Sequence, residues 1–293
     1  MSMRKKTVSF TKWLILLSLL AFPTYKIIDY LATELPKEKD ILVSSRETPI
    51  GTKTPLGKIL NAIDTKQDVT GARTIYEQEK SKFPNEVVKP YLEKFFLLHD
   101  KFVQHKITLD DFEDAKYFIK ESINIKNEMK REGMTEKDLF RAQEVIPITV
   151  IKFLYNAKPD DIPERQQKKA SDTLLDIANQ YLNSIVGPRE SLSVPGAIAI
   201  CIYTKITFTE AKGGFLKANK ESELMSIIRR IDSFKQVYNT MIGGEEAAFK
   251  VYVDFLDIYK GASEATLKEG FWDRWWNDNI PNKEIPGISI NRK

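Results

Sequence analysis

The chain has 293 residues, 42% hydrophobic and 29% charged, which is ample for one large domain or two small ones and typical of a core-forming chain. Arg4, Lys5, Lys6 and Lys12 account for the whole net charge of +4, so the rest of the chain is neutral and lacks the bulk basic charge that nucleic-acid binding draws on. A single cysteine, Cys201, excludes an intrachain disulfide and a thiolate zinc cluster.

Behind the basic residues, Trp13 to Tyr25 carries no charge. As a helix it spans roughly 20 Å, short of the roughly 30 Å hydrocarbon core of a bilayer. Its apolar heart, Trp13 to Phe22, has the length of a secretory h-region, but no small-x-small pair follows for a signal peptidase. A longer span results if Lys12 and Lys26 snorkel and Ile27, Ile28, Tyr30 and Leu31 continue the helix. Trp13, Tyr25 and Tyr30 then fall at the interfaces, where amphipathic rings are favoured. Residues 1–33 are therefore expected to form a cytoplasmic basic tail and an uncleaved signal-anchor that meets the membrane through residues 13–31. The positive-inside rule then holds the body outside the cytoplasm. No Asn-x-Ser/Thr acceptor occurs, which argues against a eukaryotic secretory origin and leaves a bacterial inner membrane as the expected location, with the protein crossing it once. A cleaved export signal and the buried first helix of a soluble protein are the alternatives.

Residues 34–55 are polar and punctuated by Pro36, Pro49 and Pro55, and they read as a linker. Residues 56–279 then read as an all-helical body. Val88, Tyr91, Leu92, Phe95, Phe96, Phe102 and Val103 recur at helical spacing. Thr108-x-x-Asp111 has the form of a capping box, Thr135-x-x-Asp138 opens the next helix the same way, and Gly133 between them is placed to stop a helix. A kink or break is expected at Pro147. Further stripes run through Leu174 to Ile185, Leu224 to Met241 and Ala248 to Tyr259, with Gly187-Pro188, Gly243-Gly244 and Gly261 as their stops. The β-branched run Ala197 to Thr209 has the composition of a strand, yet Ser193 and Pro195 resemble a helix start and no second strand is available to pair with it; a buried helix is favoured. The expected fold is all-α, an irregular antiparallel helical bundle or a helical-repeat-like superhelix. Residues 280–293, with two prolines and no helical period, are expected to form an extended tail over the surface or against a partner.

Candidate chemistry is sparse. His99 and His105 differ by about 240° around a helix and do not converge on one ligand. Asp110, Asp111 and Asp114 match the D-D-x-x-D pattern of helical prenyl-diphosphate enzymes, where carboxylates hold Mg²⁺ against a diphosphate. They also stand in a first helical turn, where the dipole and the cap favour acids. Glu190-Ser191 resembles the catalytic glutamate segment of lytic transglycosylases, without the Gly-Leu-Met-Gln stretch that follows it in them. No nucleophile elbow, phosphate-cradling glycine loop or dinucleotide fingerprint occurs, so no catalytic constellation is complete and no cofactor is expected. Trp272, Trp275 and Trp276 share one helical face, as a core closure or as an interface for a protein partner or the membrane. The reading placed first is a membrane-anchored, non-cytoplasmic binding or scaffolding module. Behind it stand an exported envelope enzyme working through Glu190 or Asp110–Asp114, and a cleaved, secreted helical protein.

Overall fold

The computed structural model describes residues 50–51, 53–83, 87–186, 193–213, 220–241, 247–269, 284–290 and 292. Among these residues the secondary structure is helical, with no strand. The elements are α1 (Pro55–Lys66), α2 (Val69–Glu79), a 3₁₀ turn (Lys80–Lys82), α3 (Val88–Val103), α4 (Leu109–Asp114), α5 (Lys116–Arg131) and α6 (Glu136–Asp161). There follow α7 (Glu164–Tyr181), a π turn (Leu182–Val186), α8 (Val194–Gly213), α9 (Lys220–Met241) and α10 (Ala247–Glu269). The expected signal-anchor, Glu190 and the three tryptophans lie outside the described residues. No described helix is long and apolar enough to cross a membrane.

Local chemistry sets the helix ends. Thr54 caps α1 by accepting from the Gly57 amide at 3.0 Å, and Asp68 caps α2 by accepting from the Gly71 amide at 2.7 Å. The capping box opening α4 is complete: the Thr108 side chain accepts from the Asp111 amide, and the Asp111 carboxylate accepts from the Thr108 amide at 2.8 Å. Helix α5 closes in a Schellman motif, with Met134 N–H donating to Met129 O and Gly133 N–H to Lys130 O. Gly133 has φ +84°, a conformation that costs a side-chain-bearing residue free energy, so the stop read from the sequence is also a backbone requirement.

Helix α6 is the spine. From Ala142 to Leu154 it is buried around almost its whole circumference, and it packs against α1, α3, α5, α7 and α8. It runs through Pro147 without the expected break, because buried neighbours on both sides, Ile146, Ile148, Val150 and Ile151 among them, hold the turn in place. Phe153 carries the α3–α6 contact, stacking on Phe102 at 4.8 Å and on Phe95 at 5.9 Å. Arg141 Nε meets Asp64 Oδ2 at 2.6 Å and ties α1 to the same spine.

Helices α8, α9 and α10 pack pairwise on one another, and α8 rests on α7. The strand-like run at 197–209 is helical throughout. Ala197 to Ile202 are each no more than 2% exposed, so this stretch has no solvent face and shows no amphipathic period. Ser193 caps it by accepting from the Gly196 amide at 3.0 Å. Gly261 does not stop α10 as expected. The helix passes through it because Ala262, Ser263 and Thr266 still face the core beyond it, and one exposed glycine costs only about 1 kcal/mol. Within the segment read as a linker, Ile50 is buried in the core.

Phe153→Ala should remove about 3–5 kcal/mol of stability, read as a lower urea midpoint with unchanged m-value. A loss below about 1 kcal/mol would mean that α3 and α6 are not held together by these rings.

Candidate functional site

The acids singled out in the sequence do not converge. Asp111 is buried in the capping box and receives the Lys101 ammonium, while Asp110 and Asp114 face solvent. Among the described residues no group of three His, Cys, Asp or Glu side chains is placed to hold a metal ion. Cys201 is fully buried, and burial pushes its thiol well above its ordinary pKa, so it stays protonated and unreactive. His99 packs on Phe153 at 5.5 Å, while His105, at the end of α3, is exposed.

A built site occurs in residues 284–292, within the segment expected to run extended over the surface or against a partner. Ile285 and Ile288 are each 1% exposed, and Ile290 is half-buried against the core. Between the first two, Ile288 N–H donates to Ile285 O at 3.2 Å, closing a turn with Pro286 at its second position and Gly287 at its third. Gly287 has φ +67°, as the third position of a type II turn requires. A Cβ there would lie 3.1 Å from Tyr252 Oη and 3.5 Å from Ile198 Cδ1, so the turn is pressed into the angle between α8 and α10. Asn156 of α6 donates from Nδ2 to Ile288 O at 2.9 Å and so reads the tail backbone.

The tail then ends in a guanidinium site at the carboxyl terminus of α6. Arg292 Nη1 donates to Asp161 Oδ1 at 2.9 Å, Nη2 donates to Asn156 O at 3.0 Å, and Nη2 lies 3.5 Å from Asp160 Oδ2. The guanidinium carbon sits 4.4 Å from the centre of the Phe102 ring. The Asp161 side chain is fully buried, its Oδ2 has no hydrogen-bond partner, and Arg292 is only 16% exposed. His105 closes the site, with Nδ1 3.2 Å from Asp161 Oδ1 and in contact with Arg292 Nη1. Its backbone adopts φ +55°, so a histidine occupies the left-handed stop of α3 that glycine usually takes.

The opposite end of the segment carries the opposite charge. The charge of Glu284 acts on Tyr155 and Lys205. Burial, reinforced by Glu284, raises the Tyr155 phenol to about 12; burial lowers Lys205 while Glu284 opposes the fall. Tyr252 is raised to about 12, chiefly by burial, so these phenols remain donors at any physiological pH. Between the two charged ends of the segment, Ile285, Ile288 and Ile290 lie against the core.

No protein-family model matches the chain, and comparisons with curated proteins and with solved structures find no match either.

Sequence reasoning missed Asn156, Asp160, Asp161 and Arg292. Two signals for them exist in the chain. Asp160 and Asp161 close a long helix, where the dipole disfavours acids unless a cation joins them. Ile-Pro-Gly-Ile is a turn flanked by apolar residues rather than a random tail.

Two measurements check these assignments. Asp111→Ala should cost about 1–2 kcal/mol through the lost cap, whereas Asp110→Asn should fall within about 0.5 kcal/mol of wild type in urea unfolding. For His99, burial, with help from Arg73 and opposition from Asp100, lowers the pKa below its ordinary 6.5. Between the folded and unfolded values the unfolded chain binds more protons, so stability falls as pH drops through that window. The urea midpoint of wild type should therefore fall more than that of His99→Asn on acidification from about pH 7 to about pH 5.5. Equal falls would contradict the burial of this imidazole.

Proposed function

We propose that this protein is a single-pass, membrane-anchored binding or scaffolding module of a bacterial envelope, with its amino terminus in the cytoplasm and an antiparallel helical body outside it. The observation that carries the binding role is the seat of Glu284–Arg292. The body holds a non-helical segment by side-chain recognition at named positions, with two isoleucines buried and an arginine held by two aspartates and an aromatic ring. The order of the leader supports the anchor: four cations precede the uncharged run from Trp13 to Tyr25, with aromatic residues at its borders. The face of Trp272, Trp275 and Trp276 adds a candidate contact for a protein partner.

Fractionation tests the anchor. In a bacterial host the full chain should sediment with the inner membrane and resist carbonate extraction. The chain from residue 34 onward should be soluble, helical and cooperative in unfolding. A full chain recovered from the soluble cytoplasmic fraction would overturn the proposal. A mature amino terminus beyond residue 20, read by mass spectrometry, would favour the secreted alternative.

A further inference from the structure

We propose that the groove between α6, α8 and α10 is a peptide-binding site that is closed in cis by the chain's own carboxyl-terminal segment. Its ligand class is a partner peptide with the same features: an apolar residue, a Pro-Gly turn, a second apolar residue, and an arginine four positions further on. The inference rests on the binding role argued above and not on the anchor.

Three observations carry it. First, the segment is held by side chains and not by secondary-structure pairing, with Ile285 and Ile288 buried in the core. The described tail forms no helix or strand with the body, and the body reads its backbone through one side-chain amide, Asn156 Nδ2 to Ile288 O at 2.9 Å. Second, the arginine site is assembled from the body alone. Asp160 and Asp161, the negative end of α6, the Asn156 carbonyl and the Phe102 ring are all in place whichever guanidinium enters. Third, Arg292 does not saturate that site: Asp161 Oδ2 is buried without a hydrogen-bond partner, so a guanidinium that replaces Arg292 has a second carboxylate oxygen to pair with.

The remaining groove features fix the rest of the ligand. Gly287 has φ +67°, and a Cβ there would also crowd Tyr252 Oη at 3.1 Å, so the third turn position favours glycine. The buried seats of Ile285 and Ile288 demand aliphatic side chains on either side of the turn. Because the resident segment is tethered to the body, it competes at an effective concentration far above that of a peptide in solution. A partner therefore gains access when the tether is weakened or when it offers further contacts elsewhere.

The test uses the full chain in mild detergent and a fluorescent synthetic peptide of residues 284–293. Arg292→Ala loosens the resident tail without touching the groove. The peptide should bind this variant at least about tenfold more tightly than wild type. A peptide whose arginine is replaced by alanine should not compete, and adding Asp161→Asn to the variant should abolish binding. If the variant keeps its helical circular dichroism and cooperative unfolding but does not take up the peptide, the tail is a fixed part of the fold and the proposal fails. If the variant does not fold, the otherwise wild-type chain with Ser289→Cys, an exposed position, carries a dye there. Excess unlabelled peptide should then lower the anisotropy of the dye; an unchanged anisotropy would equally overturn the proposal. Neither result depends on where the chain is located, so failure here leaves the anchor to be judged by fractionation.

Discussion

Burial of α6 from Ala142 to Leu154 organises the rest of the molecule. A helix without a solvent face needs partners on every side, and α1, α3, α5, α7 and α8 supply them. Each fully buried Ile, Leu or Phe along it contributes about 1.5–3 kcal/mol, so the incentive to surround this helix exceeds any local preference of the segments that do so. The same incentive keeps the helix continuous at Pro147, where local propensity alone argues for an end.

A long buried helix creates a problem at its carboxyl terminus. The last carbonyls and the dipole concentrate negative charge there, and this chain adds Asp160 and Asp161 to it. The carboxylate of Asp161 is removed from water altogether, a state that requires a cation. Arg292 supplies one while lying on the Phe102 ring, and Phe102 in turn stacks on Phe153 of α6. The tail is thus coupled to the core through the same aromatic column that joins α3 to α6. Packing, electrostatics and recognition meet at one end of one helix.

The legible parts of this fold are those written in local chemistry. Thr108 and Asp111, Thr135 with Asp138, and Gly133 mark helix ends by hydrogen bonds made within a few residues, and these are found where the sequence places them. The run at 197–209 is ambiguous because a helix buried on all sides loses its 3.6-residue signature and keeps only its β-branched composition. Gly261 misleads for a related reason: whether a glycine ends a helix depends on whether residues beyond it still have a core to face. The groove is least legible because Asn156, Asp161 and Arg292 are joined only by the tertiary fold. The tail that contains Ile285 to Arg292 shows two prolines and no helical period, and the seats of its isoleucines are set only by the tertiary fold.

The account depends most on the link between Asp161 and Arg292. A double-mutant cycle of Asp161→Ala and Arg292→Ala, read by urea unfolding of the full chain, isolates that link from the other effects of each substitution. A coupling of about 1.5–3 kcal/mol is the predicted result for a shielded, charge-assisted contact. Additive single effects, agreeing within about 0.5 kcal/mol, would contradict the docking of the tail onto α6.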